Sequence, residues 1–405
     1  MIAAEHREGL RLRLKCRCRK EPPVGRRATG DGSRAARKRV FTLRSKVLAQ
    51  TSLIYYSPHT MTAFTNMFPS ADQDDQILEY WINDLFRDPL LADVMETDAF
   101  RRLEDISFLG AINYAYPDLK LKKNQRSRAR HSIHVAALTN YVSTARGYDP
   151  SLKRHLVLAG LLHDIGHLPL SHSAEPYFKA SLGLGHHQLG EQILNGHNAL
   201  GRELHSLLKE TNDLDFLTDL ISGTASDVDG GDLFSSPINI DTIDGIVRTH
   251  AVMASEPVNI NRLAVAHAAF IDDDDSRYEV MDRFWKLKHF VYDRMINNTI
   301  SLIADFSAKD FFEKGHRHLT ESDLLDTESV WLDKYQELFQ GFAKRNSFGG
   351  QRIDFLEREY LVDETEKGRH RYAVSKWKSY VDIDEVFESR TSEQLPLYFI
   401  SQINS

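Results

Sequence analysis

From about residue 72 onward, apolar residues recur at spacings of three and four, and a helical reading follows segment by segment. Within residues 75–86, Ile77, Leu78, Trp81, Ile82, Leu85 and Phe86 share one face of a 3.6-residue period, which predicts an amphipathic opening helix. Residues 98–112 predict a second helix, ending at or near Gly110. Residues 131–141 and 152–162 are apolar with the same period, and the latter stops where Gly166 and Pro169 follow. Further helices are expected over residues 188–194, 201–208, 213–221, 241–249 and 260–270. The longest is expected over 278–306, which contains neither Gly nor Pro. Past about residue 350 the pattern shortens. Residues 358–362 and 370–381 carry β-branched and aromatic residues in partly alternating runs, which predicts a small mixed α/β appendage.

Composition sets limits on this picture. A chain of 405 residues can hold two or three domains. The central apolar run, residues 156–162, is far shorter than the roughly twenty residues a membrane-spanning helix requires, so no membrane partner is expected. Residues 1–50 hold fifteen Lys or Arg against four acids, which leaves the remaining residues at −18 within a total of −7. An acidic body repels nucleic acid at long range. The basic arm could meet polyanions, but its weak patterning fits a disordered extension as well, and residues 1–70 are expected to form one. A second option is that folding starts near Met61 and the upstream residues are dispensable. Arg-richness leaves a mitochondrial leader open, against which Glu5, Glu8, Glu21 and Asp31 count. Cys16 and Cys18, the two cysteines of the chain, flank a single residue, a spacing that suits neither a disulfide nor a zinc knuckle. The cysteine-free body fits a reducing cytoplasm and excludes a thiolate metal site there.

Against this background four residues stand out: His131, the adjacent His163 and Asp164, and Asp241. The pair closes the stretch LVLAGLLHDIGH. A carboxylate beside an imidazole at the end of an apolar run is costly to bury unless both are paired or hold a metal. Two imidazoles and two carboxylates suit Mn, Mg, Fe, Ni or Zn without choosing among them. Taken singly, each has an ordinary explanation as a satisfied polar residue, and the joint pattern carries the metal expectation. His134, three residues after His131, reads as a supporting residue. The acidic segments 226–232 and 272–275 lack the ligand register of a calcium loop and read as solvated.

These residues and their neighbours resemble the HD-domain phosphohydrolase superfamily, and within it the nucleoside triphosphate triphosphohydrolase branch of bacterial dGTPases and eukaryotic dNTPases. The likeness covers residues 75–310. It is carried by Leu109 and Gly110 with Tyr114 and Pro117, by RARHS (128–132), by HDIGHLPLSH (163–172) and by IDTID (240–244). The resemblance implies a mainly α fold: an HD-domain helical bundle with additional helices and a small C-terminal α/β appendage. The expected division is a basic extension over 1–70, an HD-type phosphohydrolase domain over 71–310, and a helical then mixed α/β region over 311–405. It further implies that His131, His163, Asp164 and Asp241 hold a divalent metal ion. His172 would be a catalytic histidine held by Glu175, and His167 and His187 would contact phosphate. Arg128, Phe108, Leu109 and Arg248 would meet the nucleotide substrate. Three residues apart, Glu175 can orient His172 and raise its pKa, keeping a proton available for the leaving oxygen. The cationic stretch Lys120, Lys122, Lys123 and Arg126 would attract a polyphosphate or stand as a solvated loop. The implied reaction is metal-assisted attack at the α-phosphate, releasing inorganic triphosphate and a nucleoside. A homo-oligomer in the cytoplasm is implied as well.

The likeness thins at the nucleoside end. Phe108 stands where deoxynucleotide-selective relatives have a polar residue at the sugar. Thr242 replaces a common Lys, Gly245 an aromatic and Thr249 an acid. Two further readings stay open on that account. One is another HD phosphohydrolase, either a nucleotidase or a phosphodiesterase for a signalling nucleotide. The other is a non-catalytic, metal-stabilised module that binds nucleic acid through the basic N-terminal arm, against which His172 and Glu175 count.

Overall fold

The computed structural model describes residues 71–116, 126–210, 212–254, 260–272, 277–315 and 319–343, with the backbone of 352–356 and 387–391. The expectations for the basic arm, for Lys120, Lys122 and Lys123, and for residues 358–362 and 370–381 lie outside the described residues.

The fold is mainly α. The first helices are α1 (Ala71–Leu85), α2 (Pro89–Glu96), α3 (Asp98–Arg102), α4 (Ile112–Ala115), α5 (Arg128–Ala145) and α6 (Pro150–Leu162). The middle of the chain forms α7 (Glu175–Leu182), α8 (His186–Leu194), α9 (Gly201–Leu208), α10 (Leu214–Ser222), α11 (Asp232–Ser235), α12 (Ile240–Met253) and α13 (Arg262–Phe270). Then come α14 (Arg277–Phe290), α15 (Thr299–Gly315), α16 (Glu321–Leu324), α17 (Glu328–Lys334) and α18 (Gln336–Ala343). Strands β1 (Arg352–Leu356) and β2 (Phe387–Thr391) pair antiparallel, with Arg352 opposite Thr391 and Leu356 opposite Phe387. No helix among the described residues is long and apolar enough to cross a membrane.

Helix α5 is the hub, with α1, α6, α12 and α13 packed against it. Fourteen of its eighteen residues are buried, which explains its weak one-sided periodicity: a helix enclosed on every side needs no polar face. Ser127 caps its start by accepting from the Arg130 N–H at 3.3 Å. Helix α6 begins on a proline, with Asp149 accepting from Ser151 N at 2.9 Å and Leu152 N at 3.1 Å. Its Leu156, Leu158, Leu161 and Leu162 are fully buried, and truncating one, as in Leu158→Ala, is expected to cost about 2–5 kcal/mol. This packing fixes the site: α5 carries Arg128 and His131, the end of α6 presents His163 and Asp164, and α12 brings Asp241.

Two helical expectations need correction. Residues 98–112 do not form one helix: α3 ends at Arg102, a 3₁₀ turn follows over Leu103–Asp105, and α4 starts at Ile112. Between them the chain leaves helical geometry to pair with the segment before α5, Phe108 N donating to Arg126 O and Arg128 N to Ile106 O, both at 2.8 Å. Gly110 is required at the following turn. Its φ is +62°, and a Cβ there would lie 2.1 Å from the Leu170 carbonyl oxygen. The 278–306 helix also breaks, although no Gly or Pro interrupts it. A π turn over Val291–Ile296 precedes Asn297 and Asn298, where α15 is capped. The Asn298 side chain accepts from Ser301 N at 3.0 Å and donates to Met295 O at 2.7 Å, so an Asn does the work of a helix breaker.

Candidate metal centre and histidine cluster

His131, His163, Asp164 and Asp241 converge at one point. His131 Nε2 lies 3.2 Å from His163 Nε2, 2.9 Å from Asp241 Oδ1 and 3.6 Å from Asp164 Oδ2. His163 Nε2 lies 3.4 Å from Asp164 Oδ1 and 3.8 Å from Asp241 Oδ1. Donors about 2.1 Å from one cation stand about 3.0 Å apart at right angles and about 3.4 Å apart in a tetrahedron, so the spacings are those of a coordination shell.

The tautomers sharpen this. His163 Nδ1 faces the Gly160 carbonyl at 2.9 Å, a contact that requires the proton on Nδ1. His131 Nδ1 donates to the buried Asp244 carboxylate at 2.7 Å. In their neutral forms both rings therefore point bare Nε2 lone pairs at each other, a repulsive pairing that a cation between them relieves. Burial alone would lower the His131 pKa, but hydrogen bonds to Asp241 and Asp244 outweigh it and raise it. The same negative field favours a metal ion. Burial would raise the Asp164 carboxyl, yet His163, Arg128 and His167 hold it well below the usual carboxylate range. It is thus ionised, as a ligand must be. The Asp241 side chain is 51% exposed and leaves the point open on one side. The donor set fits a divalent ion.

A second cluster adjoins it. His172 Nδ1 and His186 Nδ1 both bond the Glu175 carboxylate, at 3.2 and 2.6 Å, and His186 N donates to the same group at 3.0 Å. His186 stacks on His167, with centroids 4.2 Å apart and planes at 9°, and His167 Nε2 reaches Asp164 Oδ1 at 3.1 Å. One carboxylate thus joins the clusters through two imidazoles. His187 instead lines a cavity of about 200 Å³ with His163, Thr218 and Ser222. Gly166 lets α8 approach, since a Cβ there would lie 2.0 Å from the His186 carbonyl. The expectation that Glu175 raises the His172 pKa is corrected: burial outweighs that contact and pushes the imidazole down to about 4. Burial likewise lowers His187 to about 4.

The residues expected to meet substrate are buried. Arg128 donates to Asp164 Oδ2 at 2.8 Å, to Phe108 O at 2.7 Å and to Ser171 Oγ at 3.2 Å, so in this arrangement it orients the Asp164 carboxylate. Arg248 bonds Asp244 at 2.7 Å. The Phe108 ring lies 4.7 Å from His131 and under the Arg128 guanidinium at 4.8 Å. Leu109 is buried beside it, its N–H donating to Asn113.

Sequence reasoning missed three residues. His186 is the first of a doubled histidine whose second member, His187, carried the expectation. Asp244 gathers His131 and Arg248 at 2.7 Å, Arg262 at 2.8 Å and His134 at 3.1 Å; burial pushes the His134 imidazole, exposed to the nearby Arg248 charge, down to about 3. Its position three residues after Asp241 was a usable signal. Glu328, from distant α17, had none. It accepts from Ser107 N at 2.8 Å, Leu170 N at 3.0 Å, Tyr114 Oη at 2.6 Å and also Ser107 Oγ. Leu170 and Ser171 sit in the left-handed region, with φ of 61° and 44°, so Glu328 helps hold a strained segment that leads into His172.

Residues 128–226 match the HD domain family. The chain carries an HD domain. That stretch holds every converging side chain except Asp241. Among similar proteins is an uncharacterized protein of Mycoplasma pneumoniae, 36% identical over 108 residues, or 23% of this chain and 24% of that one. A deoxynucleoside triphosphate triphosphohydrolase SAMHD1 homolog of Dictyostelium discoideum is 22% identical over 275 residues, 62% of this chain and 51% of that protein. An uncharacterized protein of Mycoplasma genitalium is 21% identical over 380 residues, 79% of this chain and 85% of that one. The chain spans a quarter and a half of the length of the first two. The HD domain here resembles the deoxynucleoside triphosphate triphosphohydrolase branch of its superfamily.

Proposed function

We propose that this HD domain is a metal-dependent phosphohydrolase that cleaves nucleoside triphosphates to nucleoside and inorganic triphosphate. The facing Nε2 atoms of His131 and His163, 3.2 Å apart with Asp164 and Asp241 beside them, support the reading most. His131, His163, Asp164 and Asp241 would hold the ion. When bound, a divalent ion activates water for attack on phosphorus and neutralises charge on the phosphoryl oxygens. Asp244 keeps His131 in the tautomer that ligates, and Arg128 with His167 keeps Asp164 ionised and aimed. His172, with 27% of its side chain exposed, is the proton donor to the leaving oxygen. Its Nδ1–H stays donated to Glu175, and the proton to be transferred is the second one, on Nε2. Burial makes it neutral at rest, and the charge of an arriving polyphosphate restores its affinity for a proton. His187, beside His163 in its cavity, meets phosphate oxygens, His167 stays on Asp164, and Phe108 walls the site over His131. Support for the substrate class comes from the match of 62% of this chain to the Dictyostelium protein named for that activity. A homo-oligomeric state and a cytoplasmic location belong to the same reading.

The test is a hydrolysis panel over all dNTPs and NTPs with Mn²⁺, Mg²⁺, Fe²⁺, Ni²⁺ or Zn²⁺ added, the products resolved by chromatography. Inorganic triphosphate in equal amount to nucleoside is the expected result. Orthophosphate released stepwise, or turnover of nucleoside monophosphates or cyclic dinucleotides alone, overturns the triphosphohydrolase reading.

A further inference from the structure

The described residues include one buried lysine, Lys288 on α14, with 6% of its surface exposed. Among the described residues its three N–H groups meet a single acceptor, the Pro237 carbonyl, at 3.4 Å, and the Trp285 ring lies 5.1 Å away. Other buried cations near the site are better served. Arg128 has Asp164 at 2.8 Å, and Arg248 and Arg262 have Asp244 at 2.7 and 2.8 Å. Arg102 has the carbonyls of Ile165 and His167 at 3.0 and 2.6 Å. Lys288 alone has neither a carboxylate partner nor a short bond.

Its place makes this odder. Pro237 lies just before Asn239, which caps α12, a fourteen-residue helix whose second residue is Asp241. The ammonium thus lies beside the segment that leads into α12 and Asp241. Burial lowers its pKa to about 8, and the charge acting in the other direction is that of Asp241. Asp241 is also the half-exposed member of the metal centre. Once that carboxylate serves a divalent ion, its compensation of Lys288 is withdrawn and positive charge gathers on the open side. An anion is then the missing partner, and it must offer oxygens compact enough to reach both the ion and an ammonium.

We infer that Lys288 is a phosphate-binding residue of the metal-loaded site, its ammonium donating to a non-bridging oxygen of the substrate's polyphosphate chain. The inference rests on the proposed function, and it supplies from α14 a cation that the sequence lacks at Thr242. A lysine suits the position because its charge is a point on a flexible stem, able to follow a phosphate oxygen that shifts between substrate and product. The purely structural alternative, a lysine packed over Trp285 to bond Pro237, predicts no dependence of anion binding on the charge.

The experiment uses the full chain loaded with Mn²⁺ and inorganic tripolyphosphate as the probe, followed by calorimetry for wild type, Lys288→Met and Lys288→Arg. Lys288→Met should keep the metal stoichiometry and a wild-type Tm or higher, and weaken tripolyphosphate by about tenfold to a hundredfold, as for one charge-assisted hydrogen bond. Lys288→Arg should recover most of the affinity. If Lys288→Met proves unstable, Lys288→Gln serves the same comparison. Tripolyphosphate affinity within twofold of wild type in a metal-loaded neutral variant overturns the inference, as does failure of the loaded wild type to bind the probe. The nucleotide panel separates the two readings. Without turnover of any nucleoside triphosphate, but with charge-dependent tripolyphosphate binding, the function falls and Lys288 stands. Turnover with charge-independent binding gives the reverse.

Discussion

Asp244→Asn tests whether the candidate metal centre depends on the carboxylate behind it. The wild-type group is fully buried and accepts from His131 Nδ1 at 2.7 Å, His134 Nδ1 at 3.1 Å, Arg248 Nε at 2.7 Å and Arg262 Nε at 2.8 Å. An amide is nearly the same shape, carries no charge and has one accepting oxygen. Two consequences follow, of different size. Leaving two buried guanidinium groups short of their counter-charge costs about 3–5 kcal/mol, the usual loss on breaking a buried pair. That is a large part of the roughly 5–15 kcal/mol that holds a domain folded. Losing the group that fixes the His131 tautomer should weaken metal affinity by about 10- to 100-fold, or about 1.4–2.7 kcal/mol. Because the stability loss is the larger, metal affinity has to be read at a temperature where circular dichroism shows the variant folded, by calorimetric titration of Mn²⁺ into apo protein. Asp244→Asn combined with Arg262→Met removes part of the charge imbalance and should regain some of the Tm while leaving metal affinity weak. Wild-type Mn²⁺ affinity in either folded variant would refute the claim that Asp244 sets up His131 for the ion.

Other expectations follow from the same contacts. His163→Ala and Asp164→Ala should each abolish turnover and reduce bound metal by elemental analysis, whereas His172→Ala should abolish turnover and keep the metal. Full activity in His172→Ala would remove it as proton donor. Glu328→Ala leaves buried donors on Ser107, Leu170 and Tyr114 unmet, and at about 1–3 kcal/mol for each unsatisfied group should lower Tm by several degrees and depress kcat, though it touches no ligand. Stability should also fall with acid. His134, His172 and His187 have folded pKa values of about 3, 4 and 4, below the ordinary 6.5, so the unfolded chain binds more protons between those limits. Their contribution is complete above about pH 6.5 and is lost as pH falls toward 4, which a series of thermal melts would trace. A Tm constant from pH 7 to pH 4.5 would contradict the burial of these rings.

The sequence was most legible where one physical signal dominated. The apolar period of α6 and the cost of placing His163 and Asp164 at its end marked the site, and the structure brings His131 and Asp241 to the same point. Position could not be read where contacts between distant segments decide the outcome. The run at 98–112 has helical spacing, but pairing with the chain before α5 takes its middle out of the helix. The run at 278–306 lacks Gly and Pro, yet Asn298 ends it by bonding its neighbours. The pKa of His172 went the other way from the local reading, because a carboxylate three residues on is visible in sequence and the depth of burial is not. Lys288 and Glu328 gave no local signal, being a lysine in an amphipathic stretch and a glutamate at a helix start until the fold enclosed them.

The reach of Glu328 into the loops at Ser107 and Leu170 bears on how this protein can be cut. The stretch that matches the HD family ends at residue 226 and the last expected ligand is Asp241, so a fragment stopping near residue 320 would retain every histidine and aspartate of the centre. It would lack the carboxylate that secures the left-handed turn ahead of His172. A splice form, a proteolytic product or a trimmed expression fragment ending there also loses Leu324, Trp331, Phe339 and Phe342 from the core and should lose turnover. The site's chemistry and its mechanical support are thus written in separate parts of the chain, and a break between them would silence the site without removing a reacting group from the sequence.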